Sequence, residues 1–408
     1  MTLIECFDRT DLENLAGTLY LHPDKVIIIG DESKMEHLPG RFEPLLERRS
    51  MKTKVELHDI AGMKPLQIAD TLEDLVRKNA PCVIDLTGGE EPVILAVGAV
   101  LERMGENGPK VQKFDLNRDL VMDCDGDGKT LPCEKVKLGV RELVALHGGI
   151  VNPMGQVPKG ASLQDLDIMW KYSGNATNLW NKKISCLGQF EKRNDENEKN
   201  ADRTEKRILI SVDQLRREIA DFPEKKALVD DLLEFFTREG IITNRSDEKY
   251  YRYTYNNELF RYCTRKVGNM LELKVLLEVW ELKIDSEYFF DDSAMGVTID
   301  WDGKEKGDGR DTRNEIDVVA TRGLKSLFIS CKNGDIEEEE LYKLHTVAER
   351  FGGPTVRKLL VSSGLSFKNE RSKRAFETRA KDMNIELITN MRKCSPQEWA
   401  ERICKIMK

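Results

Sequence analysis

Two acids and a lysine stand where a short hairpin would bring them together. The segment NEIDVVATRGLKSLFISCKNG, residues 314–334, holds two apolar, β-branched runs joined by a short turn, which predicts two paired strands. Because side chains two apart on a strand share a face, Glu315 projects with Asp317 from the first strand. Ser330 projects with Lys332 from the second. Carboxylates suit Mg²⁺ or Mn²⁺, and a lysine can activate a water beside a phosphate; the alternative is an edge hairpin with solvated charges.

The elements around this hairpin form a defined series. Residues 267–408 read as a helix (GNMLELKVLLEVW), three strand-like runs, a helix, a strand (RKLLVSS), a charged helix and a final strand (IELIT). The hairpin is the second and third of the three runs. We therefore expect an α/β domain whose central strands carry the acids and the lysine.

The amino-terminal part has a different pattern. From Met1 to about Gly149, strand-like runs such as KVIIIG and PCVIDL alternate with helical patterns, which is typical of a parallel, doubly wound sheet. The run of residues 188–207 is highly charged and almost free of apolar side chains, so a domain boundary is expected nearby. We predict three units: a Rossmann-like domain at 1–150, a linker with a small helical or winged connector at 151–266, and an α/β domain at 267–408.

Composition excludes several classes of protein. A length of 408 residues is enough for two or three domains, and the fractions of hydrophobic and charged residues, 40% and 33%, are those of ordinary globular proteins. The net charge of -8 argues against a generally basic nucleic-acid coat. The longest apolar runs are about half of a membrane span, the amino terminus lacks a leader pattern, and nine cysteines form no CxxC pair. We expect a cytoplasmic protein without structural zinc and without a membrane partner.

A second candidate site follows the strand PCVIDL. Thr87-Gly88-Gly89 closes this strand and precedes a helix, so free N–H groups could hold phosphate or ribose oxygens at the carboxyl edge of the sheet. A tight strand-to-helix turn without a ligand is the alternative. Glu90 and Glu91 already satisfy the helix dipole, which favours a ligand of low charge density over a triphosphate.

The last third of the chain resembles the core of PD-(D/E)xK nucleases. Asp317 matches the metal-binding aspartate of that family, Lys332 its lysine, and Glu272 in GNMLE the acid that many members add on the preceding helix. Ser330 departs from the pattern, because an acid normally stands two residues before the lysine. The resemblance implies that the Cys331 carbonyl can still coordinate a metal. It leaves Glu315 and Glu340 as candidates for the displaced acid.

The whole chain is similar in architecture to the CARF-domain nucleases that accompany type III CRISPR systems. The resemblance rests on the TGG turn, GNMLE, NEID and SCKNG. It implies a homodimer whose paired CARF domains bind a cyclic oligoadenylate, with cyclic tetra-adenylate favoured because its two-fold symmetry matches a C2 dimer. Thr87, Gly88 and Gly89 would hold the ring. The weaker candidates for ligand contact, which end earlier strands on the same edge, are Asp8, Arg9, Asp31, Glu32, Ser33 and Lys34.

The same resemblance implies metal-dependent hydrolysis of phosphodiester bonds. Asp317 with Glu272, Glu315 or Glu340 would hold one or two Mg²⁺ or Mn²⁺ ions, and Lys332 would orient the water or face the phosphate. The substrate would be single-stranded DNA, RNA or duplex DNA, recognised through phosphates with little sequence preference. The candidate substrate contacts are Lys304, Lys306, Arg310, Arg313, Arg371, Lys373 and Arg374, for which solvated surface charge is the alternative.

Other readings compete with this one. A CARF sensor that has lost catalysis at Ser330 could regulate transcription through the connector.

Residues 123–134 fit a calcium-loop formula, but a strand precedes them and Pro132 stands where a helix should begin, so a hairpin is expected. Arg141 and His147 have the R-x5-H spacing of HEPN ribonucleases but lie inside the first domain, which argues against that role. A nicotinamide-dependent enzyme would need a G-x-G-x-x-G turn after the first strand, and LIECFDRTD lacks it.

Overall fold

The fold is taken from a computed structural model. It describes residues 1–118, 120–124, 128–132, 136–151, 157–174, 177–194, 207–300, 313–334, 336–351, 355–364 and 369–408. Within these ranges no helix has both the length and the apolar character needed to cross a membrane.

The amino-terminal domain is built on a twisted sheet with the strand order β3-β2-β1-β4-β5-β6-β7. The strands are β1 (Thr2–Cys6), β2 (Lys25–Gly30), β3 (Lys54–Asp59), β4 (Cys82–Asp85), β5 (Lys110–Asp115), β6 (Leu120–Asp123) and β7 (Thr130–Pro132). The helices are α1 (Glu13–Leu21), α2 (Glu32–Met35), α3 (Leu38–Arg48), α4 (Pro65–Asn79), α5 (Glu91–Met104) and α6 (Val140–Leu146). The first five strands are parallel and the last two antiparallel. The Rossmann-like domain expected from the alternating pattern is therefore confirmed.

The strands of this domain are apolar on both faces because helices cover both. Along β2, Val26 and Ile28 belong to one hydrophobic cluster and Ile27 and Ile29 to the other, as expected for a parallel strand buried on two sides. The chain runs outward from β1 to β3 and then returns to β4 on the opposite side of β1. This reversal is a topological switch point, and ligands of such sheets bind at the carboxyl ends of the strands beside it.

The helices and strands of the connector follow one another in the order found in winged-helix units. Its elements are α7 (Leu163–Ser173), α8 (Thr177–Glu191), β9 (Arg207–Ser211), α9 (Val212–Glu218), α10 (Phe222–Arg238), β10 (Ile242–Asn244), β11 (Tyr250–Tyr255) and α11 (Glu258–Arg265). The three strands form an antiparallel sheet in the order β10-β11-β9. Helix α8 extends into the charged run at 188–207, and residues 195–206 of that run lie outside the described residues.

The carboxyl-terminal domain contains a mixed sheet in the order β18-β17-β16-β15-β14-β8. Its strands are β8 (Ile150–Val151), β14 (Asp292–Asp300), β15 (Arg313–Arg322), β16 (Lys325–Lys332), β17 (Val356–Ser362) and β18 (Ile385–Ile388), beside a small hairpin of β12 (Lys283–Ile284) and β13 (Glu287–Tyr288). The helices are α12 (Asn269–Glu281), α13 (Glu339–Arg350), α14 (Glu370–Asp382) and α15 (Pro396–Ile406). The expected hairpin is β15 and β16, and the predicted elements occur in the predicted order. The structure adds the β12–β13 hairpin after α12, and IELIT is not the last element, because helix α15 follows it.

Strand β8 stands at the end of the predicted first domain, yet it pairs with β14 in the last domain's sheet; the division at residue 150 stays a prediction. The segment that fits the calcium-loop formula overlaps the end of β6 and the whole of β7, which pair antiparallel as expected for a hairpin. Residues 125–127 and 133–135 of this region lie outside the described part of the chain.

His147 is buried in edge contact with Phe351. Burial lowers its pKa to about 4, so it is a neutral packing residue.

Candidate active site

The paired strands β15 and β16 separate at Asp317. They are paired from Arg322–Lys325 as far as Val318–Ile329, whereas β16 remains paired with β17 up to Lys332. The Asp317 carboxylate occupies the gap, where it accepts the Cys331 N–H at 2.6 Å and the Ser330 hydroxyl at 3.3 Å. The predicted aspartate is thus held between the two strands, and the serine in place of the family's acid bonds to it.

The main chain of Cys331 contributes a second oxygen to this gap. In an extended strand the N–H and C=O groups of one residue point to the same side. Because the Cys331 N–H donates to Asp317, the Cys331 carbonyl also faces the first strand. The carbonyl ligand that the family resemblance implies is therefore directed toward the gap.

Glu272 adds a second carboxyl group from helix α12. Burial, followed by the charges of Asp317 and Glu315, raises the pKa of Glu272 to about 7. Burial also raises the pKa of Asp317, although the hydrogen bond from Cys331 and the charge of Lys332 oppose this shift. The two half-buried acids thus share an excess of negative charge that a bound cation would relieve.

Lys332 and Glu340 form an ion pair at the edge of the site. The Lys332 Nζ lies 2.7 Å from one carboxylate oxygen of Glu340, and the Lys343 Nζ lies 3.1 Å from the other. Burial would raise the pKa of Glu340, but the hydrogen bonds from the two lysines lower it overall. Burial would lower the pKa of Lys332, but the bond to Glu340 and the charge of Asp317 raise it. Glu340 is therefore the ion-pair partner of Lys332. Glu315, on the same strand as Asp317, is exposed.

These residues fit an oxygen-liganded divalent cation. Two carboxylates, Asp317 and Glu272, and the Cys331 carbonyl are hard oxygen donors of the kind that Mg²⁺ and Mn²⁺ take. Among the described residues, no group of three or more His, Cys, Asp or Glu side chains is arranged to hold a metal ion. Mg²⁺ commonly binds through one or two carboxylates, water and substrate phosphates, so a three-acid cage is not required. The metal itself stays a prediction.

The pKa of Glu272 predicts a pH-dependent stability in EDTA. The unfolded glutamate loses its proton near its ordinary pKa, whereas the folded one keeps it to about 7, so stability falls as pH rises through this window. Glu272→Gln removes that penalty. We expect it to raise the free energy of unfolding at pH 8 by on the order of 2 kcal/mol, with little effect at pH 4.

Urea unfolding at both pH values measures this difference, and Glu386→Gln on an exposed position of β18 is the matched control. A Glu272→Gln protein no more stable than the wild type at pH 8 would show that the carboxyl is ionised without penalty.

A residue that sequence patterns did not indicate holds the turn after Lys332. Asn181 on α8 donates its amide to the Asn333 carbonyl at 2.9 Å and accepts from the Asn333 amide at 2.8 Å. The Asn333 amide also donates to the Val267 carbonyl at 2.9 Å. Because Asn181 and Asn333 are 152 positions apart, no local signal could have paired them. The connector thus helps to fix the end of β16.

The candidate ligand residues lie together at the carboxyl edge of the amino-terminal sheet. Gly88 packs against Asp8 so closely that a Cβ on Gly88 would lie 2.5 Å from the Asp8 Cβ. Gly89 has φ +107° and donates its N–H to the Phe7 carbonyl at 3.1 Å. Only glycine allows this approach and this backbone conformation without strain. The loops after β1 and β4 are thereby joined, with Arg9 exposed beside them.

The Thr87 side chain points away from the open edge. It is buried, and its hydroxyl accepts the Phe114 N–H at 2.8 Å, while the Asp85 carboxylate accepts the Thr87 N–H at 2.8 Å. Thr87 therefore ties the turn to β5, and any ligand contact that it makes would come from its main chain. Its place in a ligand site stays a prediction.

The loops after β2 and β3 enclose a cavity of about 170 Å³ on the same edge. Its lining includes Asp31, Lys34 and Glu90, and Lys34 lies 3.5 Å from Asp31 and 3.4 Å from Glu90. Asp31 caps α2 by accepting the Ser33 N–H, and Glu32 and Ser33 are exposed. The lining also includes Gly62 and Met63, which the sequence analysis missed although they follow KVELHDI at the same strand end.

The candidate substrate contacts are only partly described. Lys304, Lys306 and Arg310 lie outside the described residues, and of Arg313 only the main chain is described, at the start of β15. On α14, Arg371 and Arg374 are exposed and Lys373 is half-buried. Lys373 and Arg374 both lie near Glu370, at 4.0 and 3.9 Å. The role of these residues in substrate contact therefore stays a prediction.

Comparison with known proteins agrees with the architecture. Residues 261–399, about a third of the chain, match the family model described as Card1-like, endonuclease domain. The last third of the chain therefore carries an endonuclease domain of this kind. No curated protein sequence matches the chain.

Two solved structures share the fold over the whole chain. Protein VC1899 from Vibrio cholerae has a TM-score of 0.71 and 17% identity, with 100% of this chain and 97% of that chain covered. Can2 from Sulfobacillus thermosulfidooxidans, solved in complex with cyclic tetra-adenylate, has a TM-score of 0.66 and 15% identity, with the same coverage of 100% and 97%. The predicted combination of a Rossmann-like domain, a connector and an endonuclease-type α/β domain is thus confirmed at the level of fold.

Proposed function

We propose that this protein is a metal-dependent nuclease activated by a cyclic oligoadenylate, acting on DNA, RNA or both in cytoplasmic type III CRISPR antiviral defence. The observation that carries the proposal is the position of Asp317 at the gap between β15 and β16, within a domain that matches an endonuclease family. Glu272 is near enough for the charge of Asp317 to raise its pKa, and Lys332 ends the neighbouring strand.

The chain's own residues suit phosphodiester hydrolysis. Asp317, Glu272 and the Cys331 carbonyl would hold Mg²⁺ or Mn²⁺. When bound, the metal supplies a hydroxide at neutral pH and stabilises charge on the leaving oxygen. Lys332, kept protonated by Glu340 and Asp317, donates to the water or to a non-bridging phosphate oxygen. Contacts of this type recognise phosphates rather than bases, so little sequence preference is expected.

The activator would lie across the carboxyl edge of the amino-terminal sheet. The likeness in fold to Can2, which was solved with cyclic tetra-adenylate, supports this class of ligand. The cavity of about 170 Å³ is smaller than the usual site of a drug-sized ligand. A cyclic oligonucleotide would therefore extend over the open edge, past Gly88 and Gly89, and be shared with a second copy.

An exposed apolar patch supports a homodimer at this edge. Met63, Leu66, Ile94 and Leu95 are 38%, 65%, 45% and 66% exposed at the starts of α4 and α5. Met63 also lines the cavity, so the patch adjoins the edge of the sheet where the activator would bind. In a C2 dimer the patch of one copy would contact the same patch of the other, which would place the two activator-binding edges side by side.

The alternative function, a ligand-responsive regulator of transcription, finds less support in the connector. In a winged-helix unit the second helix after the first strand enters the major groove, and here that helix is α10. It carries four acids and three bases, and Lys226 is paired with Asp230 at 2.5 Å. A surface without excess positive charge is poorly suited to the DNA backbone.

Cleavage assays test the proposed function directly. Labelled single-stranded DNA, RNA and supercoiled plasmid are incubated with Mn²⁺, with and without cyclic tetra- and hexa-adenylate. We expect cleavage that depends on one of the two ligands and stops in EDTA. Tight binding of a cyclic oligoadenylate with no cleavage under any metal would instead favour the regulator.

Asn181→Ala should weaken cleavage without affecting activator binding. The substitution removes both hydrogen bonds to Asn333, so the end of β16 loses part of its support. We expect kcat to fall by about tenfold with KM little changed, as for a group that acts by positioning. Asn178→Ala, at an exposed position of the same helix, is the control, and equal kcat values for the two variants would contradict the role of Asn181.

A further inference from the structure

The tip of the β15–β16 hairpin lies in a different hydrophobic core from the rest of its strands. Leu324, at the turn, is 5% exposed and belongs to the cluster of the amino-terminal domain that contains Phe114 and Leu138. Val318 and Ile329, further along the same two strands, belong to the cluster shared by the connector and the endonuclease domain. The hairpin therefore connects the two domains through its own length.

Main-chain hydrogen bonds hold the tip in place. The Leu138 N–H donates to the Gly323 carbonyl at 3.0 Å, and the Gly323 N–H donates to the Asp291 carboxylate at 2.7 Å. Lys137 pairs with the other Asp291 oxygen at 2.5 Å. Gly323 has φ +61°, a conformation that other residues adopt with strain. The tip is thus bound to the segment 137–138 on the side of the amino-terminal domain.

The opposite end of the hairpin carries the candidate catalytic residues. Asp317 and Lys332 stand seven and eight positions from Leu324, roughly 25 Å along extended strands. From the tip to Val318 and Ile329 the strands are continuously paired. Paired strands resist bending and sliding, because a change of register would break the whole ladder. A displacement of the tip would therefore reach Asp317 and Lys332.

The candidate ligand turn is tied to the same cluster. The Thr87 hydroxyl accepts the Phe114 N–H at 2.8 Å, and Asp85 accepts both the Thr87 N–H and the Gln112 amide, each at 2.8 Å. A shift of the turn at 87–89 would thus move β5. Phe114 on β5 belongs to the hydrophobic cluster that encloses Leu324.

We infer that Leu324 couples the ligand-binding domain to the nuclease site, so that the activator-bound state of that domain acts through this side chain on the spacing of Asp317 and Lys332. This inference rests on the proposed function and names the regulation of that same site. The physical element is the hairpin, since its two ends lie in two separate cores and its middle is a rigid ladder. Activator binding at the turn 87–89 would favour one arrangement of the Leu324 cluster over another.

Other contacts between the domains meet the last sheet away from the hairpin tip. Arg357 donates to Asn117 at 3.2 Å, and the Val140 N–H donates to Asp292 at 2.8 Å. These contacts reach β17 and β14, and helix α6 also packs against β15, where Val140 and Val144 share a cluster with Ile316. Among the described residues of the hairpin, Leu324 alone belongs to the cluster that contains Phe114, so the tip is the contact that is tied to the candidate ligand turn.

Three variants test the inference. Leu324→Ala shortens the side chain at the tip, and Leu324→Met restores its bulk. Leu45→Ala removes the same atoms from a fully buried position of the same cluster, on α3 away from the hairpin. For each protein we measure affinity for cyclic tetra-adenylate, cleavage with Mn²⁺ alone, and the ratio of cleavage with and without the activator.

We expect Leu324→Ala to bind the activator and to keep ligand-free cleavage within about threefold of the wild type, while its activation ratio falls at least about tenfold. Leu324→Met and Leu45→Ala should keep the activation ratio. Equal ratios for Leu324→Ala and the wild type, or equal losses in Leu324→Ala and Leu45→Ala, would overturn the inference.

Hydrogen–deuterium exchange separates this result from the fate of the proposed function. In the wild type, cyclic tetra-adenylate should change the exchange of the amides at 314–332, and Leu324→Ala should abolish this change. A wild type that binds the ligand but cuts nothing would overturn the nuclease, while the exchange data would still decide the role of Leu324. A ligand-induced change that persists in Leu324→Ala would overturn the role of Leu324 alone.

Discussion

Asp317→Asn should reduce metal-dependent cleavage by about three orders of magnitude, equivalent to a loss of about 4 kcal/mol of transition-state stabilisation. Asparagine keeps the shape of aspartate and can still accept the Cys331 N–H that the carboxylate now accepts. It lacks the negative charge that would hold the cation. The separation of β15 from β16 should therefore survive, and only the chemistry should be lost.

Single-turnover cleavage with Mn²⁺ and saturating activator measures this effect, with Glu386→Gln as a control for the loss of one acid. Affinity for the activator should match that of the wild type, because Asp317 lies in the other domain. Stability in EDTA should not fall, since burial already raises the pKa of this acid. An Asp317→Asn protein that keeps a tenth or more of wild-type activity would place the essential carboxylates elsewhere, with Glu315 and Glu340 the next to test.

Leu66→Glu combined with Leu95→Glu should convert the proposed dimer to a monomer and abolish activation. Both side chains are about two-thirds exposed, at 65% and 66%, and burying them against a second copy would favour association. In a C2 dimer each substitution acts twice, and the introduced carboxylates would be buried or repel each other. The activator would then meet only half of its binding site.

Light scattering on the ligand-free protein measures the mass, and the cleavage assay measures activation. Leu179→Glu is the matched control, because Leu179 is also exposed, at 45%, but lies on α8 of the connector. Cleavage without activator should change little in either variant. A double variant that remains dimeric and fully activated would exclude this patch as the interface.

Much of the fold could be predicted because the signals are local. Strands such as KVIIIG are apolar runs bounded by turn residues, and they form β2 and its neighbours as expected. The hairpin expected within residues 314–334 is found at Arg313–Arg322 and Lys325–Lys332. Strand β8 could not be predicted as part of the last sheet, because two residues carry no pattern and their partner, β14, is over 140 positions away.

The candidate site was predictable in its residue types but only partly in its geometry. Spacing placed Asp317 and Lys332 on neighbouring strands, and the family resemblance added Glu272. Three acids were left open as companions of Asp317. The structure places these three acids in different surroundings. Glu340 pairs with Lys332, Glu315 is exposed, and Glu272 is the half-buried acid whose pKa is raised in part by the charge of Asp317.

By itself the sequence determined the order of strands and helices, the turns that glycine permits, and the types of side chain available for catalysis, because these follow from period, propensity and composition along the chain. Only the tertiary structure decided which residues from distant segments meet. Asn181 reaches the end of β16, and Leu324 enters the core of another domain. The physical reason is that burial rewards the removal of apolar surface from water and the pairing of polar groups, and those partners are chosen by the packing of whole elements.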